Sequence, residues 1–166
     1  MDILEIIKAR RSIRKYTPEK VSKDMIQRLT EAGRWAPSSG NRQPWKFIVV
    51  TNEETLRKLS SVLNTGRFIG GVPLAIAVVV DPAASRRFLE DGAAAIQNIL
   101  LEAHFMKLGS CWIGCYDAPQ EQPAKDILGI PDNERLQAIV AVGHSVETPE
   151  RTRKSVEETV FYESYG

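Results

Sequence analysis

The sequence predicts an α/β or α+β domain, and three observations carry that reading. Apolar runs of strand length alternate with stretches of helical periodicity along the whole chain. Hydrophobic residues make up 43% and charged residues 26%, the balance of an ordinary globular chain and not of a disordered or collagen-like one. At 166 residues there is room for one domain, spanning 1–166, which buries enough surface to need no disulfide or metal staple.

Asp2 is placed to cap a first helix, with Glu5 completing a capping box and Ile3, Ile6 and Ile7 forming an apolar side. After the Thr17-Pro18 turn, Ser22 caps a second helix. In it Met25, Ile26, Leu29, Ala32 and Ala36 recur at helical spacing until Pro37 stops it. Residues 37–44 form a polar loop. Residues 46–50 read as a strand, 53–63 as a helix, and 74–80, an unbroken aliphatic run, as a strand covered on both faces. The longest helical candidate is 86–108, where Gly92, Ala95, Ile96, Ile99, Ala103 and Met106 share one apolar face. Its opposite side is also partly apolar, which in so small a domain suits a subunit interface better than a core. Gly109 is expected to end it. Residues 110–115 read as a strand, 123–128 as a short helix and 136–143 as another buried strand. The tail, 147–166, carries Arg151, Arg153 and Lys154, and its apolar cluster Val160-Phe161-Tyr162 needs something to pack on.

The 22 Lys and Arg nearly cancel the 21 Asp and Glu, so the net charge of +1 offers no global field for a polyanion, and no nucleic-acid partner is expected. Cys111 and Cys115, spaced CxxxC, read as small buried residues on one face of a strand, and no metal centre is expected. The chain opens with an acidic second residue and an apolar run too short for a secretory signal, which points to the cytoplasm. Residues 68–80, the longest charge-free stretch, fall short of the roughly 20 residues a membrane helix needs, so no membrane partner is expected.

Two segments can carry chemistry. Five of the eight residues from Lys8 to Lys15 are basic, and Arg10-Arg11-Ser12-Ile13-Arg14 suits a small anion such as a phosphate, with Arg151 and Arg153 as a second cluster able to complete the pocket. A solvated basic face or a nucleic-acid patch is the alternative. The loop Pro37-Ser38-Ser39-Gly40-Asn41-Arg42-Gln43-Pro44 is stiffened by two prolines, and its amides can both donate to and accept from a heteroaromatic ring; the alternative is a surface turn. Other motifs fail. Gly109 to Gly114 has the glycine spacing of a phosphate-binding NTPase loop, but Cys115-Tyr116 stands where Lys and Ser/Thr are required. No GxGxxG supports a tightly held dinucleotide, and His144 has no nucleophile motif beside it.

Together, RRSIRKY at 10–16, APSSGNRQPWKFIVV at 36–50, DGAAAIQNILLEAHFMKLGSCWIG at 91–114 and RTRK at 151–154 resemble the FMN-dependent nitroreductase family in its short single-domain form. The resemblance covers essentially the whole chain. It implies an α+β fold with a mainly antiparallel central sheet flanked by helices, an intertwined homodimer, and FMN at the subunit interface. Carried over by position, Arg10, Arg11, Ser12 and Arg14 match the N-terminal FMN site, and Arg151 and Arg153 the C-terminal phosphate contacts. Pro37, Ser38, Ser39 and Asn41 match the loop that the partner subunit lays against the ring, with Gln43 beside it. Asn64 and Arg67 correspond to a pair near the ring's polar edge. Ile113, Gly114 and Cys115 fall on the strand along the reactive side, where several larger members have a Glu-Gly pair; the Gly114 backbone N–H is expected at the flavin N5. The implied reaction passes a hydride from NADH or NADPH to a nitroaromatic, a quinone or a similar small flat acceptor by a ping-pong mechanism, with no side chain as obligate acid or base. Flavin fragmentation or reductive dehalogenation on the same fold, and a non-enzymatic phosphate- or nucleic-acid-binding module, are the alternatives.

Overall fold

The structure, a computed structural model, describes residues 2–165. Four antiparallel strands, β1 (Trp45–Val50), β2 (Leu74–Val80), β3 (Gly109–Gly114) and β4 (Arg135–Gly143), form one sheet in the order β1-β2-β4-β3. Every residue of β2 is buried and only Arg135 of β4 is not, so these two are the central strands. Their aliphatic runs are what a strand covered on both faces requires. Five helices flank the sheet: α1 (Ile3–Ala9), α2 (Lys23–Arg34), α3 (Glu53–Val62), α4 (Phe88–Phe105) and α5 (Glu121–Leu128). Side chains alternate along each strand, so Ile76, Val78 and Val140 pack under α2 and α4, whereas Ala77, Ile139 and Cys111 face the other layer with Leu56 and Leu59 of α3 and Ala124 of α5. The fold is α+β.

The α4 helix corrects the sequence reading at its C-terminal end. It ends at Phe105, not at Gly109, because Lys107 takes the left-handed conformation (φ 61°) usually given to glycine, and Gly109 opens β3. Its apolar face, with Gly92, Ala95, Ile96, Ile99 and Ala103 buried, packs within the chain's own core; only Met106 is half-exposed. Glycine suits position 92, since a Cβ there would come within 2.7 Å of the buried Val80 Cγ1 and displace the Gln137 carboxamide. What the core leaves over is the outer side of α4, including Phe105, 47% exposed.

The ends of the chain behave differently from the body. Asp2 and Glu5 form the expected capping box, yet α1 buries no residue, and Ile3, Leu4 and Ile7 face outward. Every described residue from 151 to 165 is exposed, Val160, Phe161 and Tyr162 included. Within one chain these apolar groups have no cover. Among the described residues no helix is long and apolar enough to cross a membrane.

Candidate active site

β3 is an edge strand, and its outer side gathers most of the expected site. The segment after α1 runs beside it: Ser12 bridges Ser110 in parallel, and the Ile13 N–H donates to the Ser110 carbonyl at 2.9 Å. This pairing sets Arg10, Arg11 and Arg14 at the start of β3. The tail brings Arg153 there as well: burial, then Arg153, then Arg11 disfavour the charged form of Arg10 and push its pKa down. Arg11 and Arg151 share an adjoining cleft with Glu150 and Thr152. Glu147 ties the basic segment to the chain leaving β4, its Oε1 accepting from the Arg14 and Lys15 N–H groups at 2.6 and 3.2 Å. Cations gathered in this way, one of them partly desolvated, repel one another until an anion joins them.

Three groups that the sequence reading missed line the same place. His104, Lys107 and Ser110 surround, with Arg10 and Arg11, a cavity of about 280 Å³. Burial, then Arg10 and Arg11, push the His104 pKa down. The Ser110 hydroxyl is buried with no hydrogen-bond partner. An orphaned hydroxyl beside several cations fits the oxygen atoms of a phosphate. His104 belongs to the last turn of α4 and Lys107 to the left-handed turn just beyond it, and in sequence they stand out only as polar interruptions of an apolar run.

Gly114 lies four residues further along β3, roughly 13 Å on at strand rise. The Cys115 N–H donates to the Gln137 carbonyl at 3.0 Å, so the alternation of an antiparallel ladder turns the backbone groups of Gly114 away from β4, toward the open edge. A Cβ added at Gly114 would meet nothing within 4 Å. Its carbonyl accepts from Gln120 Nε2 at 3.0 Å, and Gln120 Oε1 accepts from Asn64 Nδ2 at 3.3 Å, so Asn64 reaches this end of the strand through Gln120. Arg67 is exposed on the 3-10 turn Arg67–Gly71. The side chains of Ile113 and Cys115 point into the core, 2% and 0% exposed, because the pleat alternates them with Gly114. Burial pushes the Cys115 thiol up to about 12, and its N–H is already taken. Neither side chain can meet a ligand at this edge.

The loop 37–43 is built quite differently. Gly40, Asn41 and Gln43 all have positive φ (57°, 53° and 48°), which for the two non-glycine residues stores strain of about 1–3 kcal/mol each. Buried Asp91, in the first turn of α4, restrains it by accepting the Ser39 N–H at 2.8 Å and the Ser85 hydroxyl at 2.6 Å. The Ser38 hydroxyl accepts the Gln43 N–H at 3.0 Å. Residues 39 to 43 are exposed. The loop leads into β1, at the end of the sheet where Gly114 also lies, but at the opposite edge. β2 and β4 stand between, and three strand spacings separate the edges by roughly 14 Å. One chain therefore brings Arg10, Arg11, Ser12, Arg14, Arg151, Arg153, Asn64 and Gly114 to one edge and leaves Pro37, Ser38, Ser39, Asn41 and Gln43 at the other.

Comparison with known proteins gives this arrangement a context. The nitroreductase family model matches residues 7–66 and 60–144. A protein of Archaeoglobus fulgidus named for NADH dehydrogenase or NAD(P)H nitroreductase activity is 37% identical over 148 residues, covering 86% of this chain and 85% of that protein. An FMN-dependent nitroreductase of Clostridium difficile superposes with a TM-score of 0.90 at 29% identity, covering 98% of this chain and 99% of the other. A nitroreductase-type structure from Desulfovibrio desulfuricans, in complex with FMN, superposes with a TM-score of 0.86 at 30% identity, over 100% of this chain and 99% of the other.

Proposed function

The chain belongs to the nitroreductase family, and from that premise we propose that it is an FMN-dependent oxidoreductase passing a hydride from NADH or NADPH to a nitroaromatic, a quinone or a similar flat acceptor. The observation that carries the reading is the outer edge of β3, with arginines gathered at one end and an open backbone N–H at the other. FMN has its phosphate and its ring at opposite ends. Bound along this edge, FMN would supply the hydride chemistry through its ring, the protein contributing binding, orientation and electrostatics.

Arg10, Arg11, Arg151 and Arg153, with Ser12 and the orphaned Ser110 hydroxyl, hold the phosphate through charge-assisted hydrogen bonds. Arg14 and Arg67, with Asn64, set positive charge and an amide at the ring's carbonyl edge, where preorganised charge stabilises developing negative charge. Gly114 turns a backbone donor toward the ring and, having no side chain, leaves the stacking face clear. Ile113 and Cys115 contribute only the strand beneath it. A second copy of the chain lays Pro37, Ser38, Ser39, Asn41 and Gln43 against the other side, since the chain's own loop is an edge away. The same homodimer covers α1, the outer side of α4 and the tail. With no dinucleotide fingerprint in the sequence, nicotinamide and acceptor occupy one face in turn, which is ping-pong kinetics.

Heat release and chromatography of the purified protein's cofactor test the reading. FMN is expected; FAD, or a colourless protein that takes up no FMN, sinks it. Double-reciprocal plots should run parallel for the nicotinamide and acceptor pair, and intersecting lines would remove the ping-pong order.

A further inference from the structure

We infer that Gln120 is a positioning residue for the candidate active site: by donating to the Gly114 carbonyl it orients that carbonyl and engages the acceptor nearest the Gly114 N–H. The inference rests on the FMN reading above for its redox consequence, but not for the effect on Gly114 itself.

Gly114 has the freest backbone of any residue type, and on its outer side no strand pairs with it. The Cys115 N–H, bonded to the Gln137 carbonyl, holds one side of the peptide that follows it, and the Gly114 carbonyl on the other side needs a partner of its own. Gln120, only 8% exposed at the start of α5, supplies it through the 3.0 Å bond from its Nε2 to the Gly114 carbonyl. Its own carboxamide is oriented in turn, because Oε1 is engaged by Asn64 Nδ2. The consequence is chemical as well as geometric. An oxidised flavin presents an acceptor at N5, whereas the reduced ring presents an N–H donor there. A free Gly114 N–H beside a carbonyl already engaged by Gln120 suits the first, and an uncapped Gly114 carbonyl would welcome the second. Gln120 thus opposes, at one edge of the ring, the arginines that favour the reduced form at the other, and keeps the hydride readily passed onward.

Gln120→Leu removes the cap; Gln120→Met removes the same donor while keeping the length of the side chain and adding no charge. In flavin-free protein, NMR should show the Gly114 carbonyl shift move and the backbone order parameter around Gly114 fall in both variants. With FMN bound, the ratio of affinities for reduced over oxidised FMN should rise about tenfold, the value of one such hydrogen bond. That raises the two-electron midpoint potential by about 30 mV. An unmoved Gly114 carbonyl, or a wild-type potential in both variants, overturns the inference. Should Gln120→Leu fail to fold, Gln120→Met carries both readouts. A wild-type protein that binds no FMN removes the cofactor reading, while the flavin-free spectra still decide whether Gln120 sets Gly114.

Discussion

Each half of the candidate site stands on one buried carboxylate, and the two are built on different principles. Behind the Gly114 end of β3, Glu121 is 6% exposed and accepts from Arg135 Nε and Nη2, both at 2.7 Å, and from the N–H groups of Asp117 and Leu136. Arg135 also lies over the Tyr116 ring, 4.3 Å from its centroid. Behind the loop 37–43, Asp91 is 5% exposed and accepts only from neutral groups, the Ser39 N–H and the Ser85 hydroxyl, in the positive field of a helix N-terminus. Among the described residues no ion pair reaches it. The difference teaches what each half needs. The Gly114 end is held by four donors, two of them from a guanidinium, which makes it a rigid support; the loop keeps a strained shape, and two directional bonds from neutral groups are enough to restrain it.

Glu121→Ala should break this contrast most severely. It leaves a partly buried guanidinium and two N–H groups without their partner, and should cost about 3 kcal/mol, seen in urea unfolding. Burial tends to raise the Glu121 pKa, but the bonds from Arg135, Asp117 and Leu136 outweigh it, and the net shift is downward. A depressed carboxylate stabilises the fold fully above its unfolded value, about 4, and loses that contribution as pH falls through the native value. The gap between wild type and variant should therefore be full at neutral pH and close on acidification. A gap that stays constant with pH would show that Glu121 acts by packing alone.

Arg10→Ala sharpens the comparison from the ligand side. Loss of a hydrogen bond to a charged group costs about 1.5–3 kcal/mol, so FMN affinity should fall roughly ten- to a hundredfold, measured by fluorescence titration. Unchanged affinity would take Arg10 out of the site. Asp91→Ala is expected to act on the other half alone: stability falls by about 1–2 kcal/mol and acceptor turnover drops, while FMN, gripped at its phosphate, is retained. Equal losses of both would mean that the two halves are not separately anchored. The smallest effect on the fold belongs to truncation before Val160. Since 151 to 165 are exposed throughout, monomer stability should change by less than about 0.5 kcal/mol, while sedimentation shows a weaker dimer. A variant that sediments as wild type would exclude the tail from the interface.

Much of the fold was legible because its signals are local. The aliphatic run 74–80 coincides with β2, Ser22 accepts the Met25 N–H as the cap of α2, and strand and helix boundaries elsewhere fall within a few residues of the reading. The arginine clusters announced themselves by composition, and their convergence on Arg10 needed only that the tail fold back.

What the sequence determined by itself is everything that depends on a residue and its near neighbours: periodicity, caps, the stiff polar loop and the chemistry of Arg10, Ser12 and Asn41. The tertiary structure alone decided which edge of the sheet each motif occupies, because strand order is set by contacts far apart in sequence and leaves no local pattern. It also decided facing. One step of register separates Gly114, open at the edge, from Cys115, sealed in the core, and that parity is fixed by pairing with β4 and not by either residue's identity. Gln120, His104 and Asp91 were silent for the same reason: each works across the chain, and a side chain whose partner lies 6 to 94 residues away gives no spacing to read.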